Sequence, residues 1–120
     1  MKIIIKATNF DLTPSIEGAV QEKLGALEKF IPKGTEPIEM RVEVGLPSFK
    51  HQSGEIFRTE ANLRIHADIL RTEAYGEDLF ASINQVKDNM QRLIERYKGK
   101  HPDRTKKVSE IDNDDFKKPF

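Results

Sequence analysis

The chain has 120 residues, 37% of them hydrophobic and 33% charged, and its 20 basic and 20 acidic side chains cancel to a formal charge of zero. That length suits one domain with a modest core, and the high charged fraction predicts a well-solvated shell. The absence of cysteine excludes disulfides and thiolate chemistry.

In chain order, residues 2–8 (Lys-Ile-Ile-Ile-Lys-Ala-Thr) are short and β-branched and predict a strand. Lys6 interrupts the apolar run too early for a signal peptide, and no segment approaches the length of a membrane span. A soluble, cytoplasmic protein is therefore expected. Thr13-Pro14 then supplies a capping hydroxyl and a proline at the first helical position. Ile16, Val20, Leu24, Leu27 and Ile31 recur at helical spacing, with Gly25 a weak point inside, until Pro32 and Gly34 end the helix.

From Ile38 the period changes to two. Ile38, Met40, Val42, Val44 and Leu46 alternate with Glu39, Arg41 and Glu43, the pattern of a strand buried on one face. After a polar turn, Phe57, Thr59, Ala61, Leu63 and Ile65 alternate with Arg58, Glu60, Asn62 and Arg64. A tight connection near Ala67-Asp68 leads to a strand over 69–75 with Leu70, Thr72 and Ala74 inward. The last helix carries Leu79, Ile83, Val86, Met90, Leu93 and Tyr97 as one continuous seam.

The predicted order is β-α-β-β-β-α. A right-handed crossover makes strand 1 parallel to strand 2, and strands 2 to 4 form an antiparallel meander. Because each strand has a single apolar face, both helices cover the same side of the four-stranded sheet, giving an α/β two-layer sandwich. This domain is expected over residues 1–99, and 100–120 is expected to be a flexible charged tail.

Charge is unevenly distributed. Residues 84–107 hold eight cations against three acids, a net +5, whereas 108–115 hold Glu110, Asp112, Asp114 and Asp115 and no cation. At 100° per residue, Gln85, Asn89, Arg92 and Arg96 share a narrow arc opposite the apolar seam, and Lys98 and Lys100 extend it. Guanidinium groups offer bidentate donors to phosphate, so this stripe suits a nucleic-acid backbone; a merely solvated helix face has the same pattern.

Catalysis has little support. His51, His66 and His101 are placed on a loop, on a strand's polar face and in the tail, without metal-binding spacing. There is no nucleophile motif and no phosphate-cradling glycine loop. Glu60 and Glu73 can sit close on the open sheet face as an acid pair does, but Arg58, Arg64 and Arg71 on that face point to cross-strand ion pairs. No catalytic residue, metal site or cofactor is expected. Phe49 and Lys50 could stack on or clamp an RNA strand, and Phe116 to Phe120 form an aromatic-basic ending.

The block Leu70-Arg71-Thr72-Glu73-Ala74, then Glu77 to Asn84, then Arg92 to Lys98, resembles the second-helix signature of the ribosome hibernation promoting factors. That family includes the ribosome-associated inhibitor A and the sigma-54 modulation proteins. Ile5-Lys6-Ala7, Leu12-Thr13-Pro14-Ser15-Ile16, Lys23-Leu24 and Leu27-Glu28-Lys29-Phe30 agree with it too. The resemblance implies a short-form member with a double-stranded-RNA-binding-domain-like fold. It further implies docking on small-subunit ribosomal RNA, across the mRNA and tRNA sites, and silencing of translation. By position, the RNA-binding candidates are Lys23 and Lys29 on helix 1 and Lys87, Arg92, Arg96, Lys98 and Lys100 on or just after helix 2. Ala26 and Asn89 stand where many members have lysine, Phe80 replaces a tyrosine, and Leu93 a glutamine. The implied partners are the small ribosomal subunit and its RNA, with ribosomal proteins reached through the tail, no membrane, and a monomer off the ribosome. The competing reading is a protein-interaction module that regulates another protein through its open sheet face.

Overall fold

Strands with one apolar face each are unstable alone and need a common cover. In the computed structural model, which describes residues 1–33, 38–46 and 56–100, two helices supply it. The elements are β1 (Lys2–Thr8), α1 (Pro14–Gly25), a 3-10 segment (Ala26–Phe30), β2 (Ile38–Gly45), β3 (Phe57–Ile65), β4 (Asp68–Gly76) and α2 (Leu79–Lys100). The sheet order is β1-β2-β3-β4, with β1 parallel to β2 and the other pairs antiparallel, as the apolar periods predict. The core lies between the inner sheet face and the two helices. Val20 and Leu24 of α1, Leu63 of β3 and Val86 and Met90 of α2 are fully buried.

Local chemistry sets the boundaries. The Thr13 hydroxyl accepts from the Ile16 N–H at 3.2 Å, capping α1 as expected. The single helix predicted to continue past Gly25 instead tightens there into the 3-10 segment. Three residues per turn stack positions i and i+3, which aligns Leu24 and Leu27 on the core, both fully buried. At the end of β1, Asn9 adopts a left-handed φ of 68° and its side-chain amide donates to the Leu46 carbonyl at 2.7 Å. Gly45 lies beside Thr8, where an added Cβ would stand 3.0 Å from the Thr8 carbonyl oxygen, so the close β1–β2 approach requires glycine.

Two further expectations are corrected, and the end of α2 is fixed. His66 is not on a strand face: it occupies the two-residue turn between the paired Ile65 and Asp68, with φ 55°, where an extended side chain has no place. Helix α2 runs on through Gly99 to Lys100, so Lys100, expected on or just after the helix, is on it. In the seam, Ile94 is fully buried and Leu93 only partly so, because the two residues flank the Met90–Tyr97 line and the core takes the former. Phe49, Lys50, His51, His101 and the tail from 101 lie outside the described residues.

Ile83, 1% exposed, tests the arrangement. Ile83→Asp places an unpaired carboxylate in the core, and the cost of about 3 kcal/mol or more lowers Tm by more than about 10 °C in a domain of this size. Thermal unfolding followed by circular dichroism measures it; a melt within a couple of degrees of the parent would mean that the seam does not face the sheet.

Candidate nucleic-acid interface

The outward face of α2 is positioned by its buried one. At its start the Asp78 carboxylate accepts from the Phe80 N–H at 3.0 Å. The buried Ser82 hydroxyl contacts the Leu79 carbonyl and the Thr59 hydroxyl of β3, each at 2.7 Å. Ser82 has one proton to give and spends it on the carbonyl, so Thr59 donates to Ser82. This buried polar chain ties the first turn of α2 to β3 and sets the helix's rotation. The sequence reading missed Ser82; its helical spacing between Leu79 and Val86 was the available signal.

With that rotation, Gln85, Arg92 and Arg96 are exposed and Asn89 is half-buried. Asn89 is the hub: its amide oxygen accepts from the Gln85 amide at 3.0 Å and from Arg92 at 2.5 Å. A neutral acceptor at a position often basic in the resembled family thus holds the Arg92 guanidinium in place. Arg96 has no ion-pair partner among the described residues. Lys98 reaches Glu95 at 3.3 Å, and a shallow depression of about 360 Å³ beside the stripe is lined by Asp88, Gln91, Arg92 and Glu95. The surface is therefore cationic along one line with acids on its border.

The other candidates are more scattered. Lys87 and Lys100 are on α2 and partly covered. Lys23 is exposed on α1. Lys29 sits in the 3-10 segment rather than on the α-helix, with its ammonium 5.3 Å from the Phe30 ring centroid, a cation–π contact. Among the described residues neither Lys23 nor Lys29 is hydrogen-bonded or ion-paired to the α2 stripe.

On the opposite, open sheet face the charges shared by β3 and β4 around Glu60 and Glu73 are paired. Glu60 and Glu73 are direct cross-strand neighbours, and three arginine contacts neutralise them: Arg58–Glu73 at 2.6 Å, Arg58–Glu60 at 3.1 Å and Arg71–Glu60 at 2.6 Å. Burial of Glu60 opposes its ionisation. The hydrogen bonds and charges of Arg71 and Arg58 outweigh that and hold its carboxyl below the ordinary glutamate range. Arg58 is also partly desolvated, yet Glu73 and Glu60 raise its pKa further above neutrality. A carboxylate locked in this way is a poor acid or base, so the expected ion pairs, and not an acid pair, occupy the face. Arg64 stands outside this network, on the wall of a separate open groove of about 260 Å³ with Glu39, Arg41, Asn62 and Ile69. Among the described residues, no group of three or more His, Cys, Asp or Glu side chains is placed to hold a metal, and no helix is long and apolar enough to cross a membrane.

Comparison with known proteins places this architecture. Residues 3–102 match the family described as "Sigma 54 modulation protein / S30EA ribosomal protein". A ribosome hibernation promotion factor of Lactococcus lactis is 28% identical over 98 residues, covering 82% of this chain and 50% of the relative. One of Bacillus subtilis is 24% identical over 100 residues, covering 83% and 50%. The chain thus spans about half the length of the curated relatives it matches. Among solved structures, the Protein Y N-terminal domain of Thermus thermophilus superposes with TM-score 0.62 at 23% identity, covering 81% of this chain and 99% of that one. A ribosomal subunit interface protein of Coxiella burnetii gives 0.67 at 15%, covering 83% and 100%. These two likenesses establish the fold.

The ion-pair network has its own test. Because the folded pKa of Glu60 is depressed, its stabilisation is present above the unfolded carboxylate range and lost as pH falls through the lower folded value. Glu60→Gln should therefore cost about 1–2 kcal/mol near pH 7, and the cost should shrink progressively as pH falls below the unfolded carboxylate range. Denaturant unfolding over a descending pH series measures the gap; a gap that stays constant would mean that ionised Glu60 is not what the arginines stabilise.

Proposed function

The chain belongs to the Sigma 54 modulation protein / S30EA ribosomal protein family, and we propose that it is a ribosome-binding hibernation factor without enzymatic activity. On this reading it acts in the cytoplasm, docks on small-subunit ribosomal RNA near the decoding region and silences translation by blocking the mRNA and tRNA sites. The observation that carries the reading is the outward α2 stripe, with Arg92 held by Asn89 and Arg96 unpaired among the described residues. Two guanidiniums one turn apart match successive phosphates of a backbone and need no base contact. The names of the relatives, ribosome hibernation promotion factors, support the same partner. Lys87, Lys98 and Lys100 extend the contact along α2, and Lys23 and Lys29 add a second, separate one.

The helix is a better RNA surface than the open sheet face. There Arg58 and Arg71 already serve Glu60 and Glu73, and a phosphate would have to displace carboxylates from them. Along α2 only the bordering Asp88 and Glu95 oppose it.

Arg92→Ala/Arg96→Ala should weaken association with small subunits and lower the slope of log affinity against log salt by about 1.5 to 2, with Tm almost unchanged. Co-sedimentation over a salt series measures both; normal co-sedimentation of the double variant at raised salt would shift the contact to the open sheet face and the interaction-module reading.

The residues after α2 extend the argument by charge alone. His101 to Lys107 continue the cationic run and 108–115 are acidic, so only the first part suits an RNA backbone. Truncation after Lys107 should leave small-subunit affinity nearly intact, whereas truncation after Lys100 should lower it, more at low salt than at high. Loss of all binding on removal of 108–120 alone would mean that α2 is not the principal anchor.

A further inference from the structure

β4 is an edge strand: it pairs with β3 on one side and with nothing on the other among the described residues. An edge of nine residues is a template for another strand unless something blunts it. The other edge, β1, has Lys2 and Lys6 on its open face and no acid, and lysines on an edge discourage pairing. β4 has no lysine, and its two exposed outward charges, Arg71 and Glu73, are of opposite sign. Among the described residues, two of the four exposed large hydrophobics are on it, Ile69 at 51% and Tyr75 at 57%, and a third, Phe80 at 42%, is in the first turn of α2 just beyond.

The order of residues along this edge is self-complementary. An antiparallel pair of β4 strands centred on Thr72 sets Ile69 of one copy opposite Tyr75 of the other, Leu70 opposite Ala74 and Arg71 opposite Glu73. Each of these three pairs is apolar with apolar or cation with anion; Thr72 meets itself on the two-fold axis, and at the strand ends Asp68 falls opposite Gly76. Moving the axis by one residue, which shifts the register by two, destroys this match. Centring on Arg71, for example, sets Ile69 opposite Glu73 and brings two arginines together.

The helix layer permits the contact. Ser82 leans toward β3, and 100° per residue puts Phe80 on the opposite flank of α2, toward the free edge. Neighbouring strands are about 4.8 Å apart, so helices lying over β3 and β4 of two joined copies come within about 10 Å, an ordinary packing distance.

We propose that two copies of this chain associate through their β4 edges, antiparallel about Thr72, into one continuous eight-stranded sheet with α2 beside its symmetry mate. This departs from the monomer expected from sequence. At 100° per residue Lys87 and Lys98 share the flank of Phe80, so the contact draws these two proposed RNA-binding lysines toward the symmetry mate. The Gln85–Arg96 stripe, on the same flank of α2 as Ser82, stays uncovered.

Sedimentation equilibrium of the full chain over a wide concentration range tests the proposal. The weight-average mass should rise from 13.8 kDa toward twice that value, and β4 amides that do not bond to β3 should gain hydrogen-exchange protection in parallel. Both Ile69 and Tyr75 are exposed, so substitutions there leave the fold intact. Ile69→Lys/Tyr75→Lys sets lysine against lysine in both outer pairs and should raise the dissociation constant at least about tenfold. Ile69→Lys/Tyr75→Glu restores opposite charges across the same pairs and should return it to within about threefold of the parent. A mass that stays at one chain throughout overturns the proposal. So does association without added β4 protection, or a Lys/Lys variant that associates as the parent does. Failure of the Lys/Glu variant to recover overturns the Thr72 register.

Discussion

The burial of one apolar stripe of α2 against the inner faces of β3 and β4 is the constraint on which the rest depends. Leu79, Ile83, Val86, Met90, Ile94 and Tyr97 are all at most 6% exposed, and apolar area removed from water on this scale outweighs any single surface interaction in the molecule. A long helix held along one side has no freedom to rotate, so every residue on its far side has a fixed direction. The stripe from Gln85 to Arg96 is a consequence of the seam. The Thr59–Ser82–Leu79 hydrogen bonds add direction to what apolar burial alone leaves loose, since a slip of the helix would strand two buried hydroxyls without partners.

Much of this was legible in the sequence because two periods dominate it. Alternation at two along 38–46 and 57–65, and stepping by three and four from Leu79, are imposed by one-sided burial, and burial decided those elements. The Arg58, Glu60, Arg71 and Glu73 pairs were readable for the same reason: alternation puts them on the open face, and register then sets them opposite one another. The outward arc of Arg92 and Arg96 was readable as the complement of the seam.

What escaped was decided by interactions that leave no period. The change from α to 3-10 winding at Gly25 depends on bringing Leu27 beneath Leu24, a tertiary requirement. His66 in a left-handed turn conformation lies between two strong strand patterns that each seemed to claim it. Ser82 is a lone hydroxyl in an apolar pattern, and its role is set only by the Thr59 hydroxyl of β3 that meets it. Asn89, read as a missing cation, is the acceptor that orients Arg92, a role visible only once Gln85 and Arg92 are both within reach of its amide oxygen.

The pairing of Glu60 and Glu73 with Arg58 and Arg71 also shapes how the molecule approaches others. Charges compensated within a few ångströms produce a field that dies away quickly, so from a distance this four-residue cluster is nearly silent. The stripe on α2 has no such local compensation at Arg96. A chain whose formal charge sums to zero is not drawn bodily toward a polyanion, but one whose positive potential is gathered on a single side is turned by it. Approach to such a surface is then an orienting encounter: torque on the molecule brings α2 forward before any atom touches, and the sheet trails behind.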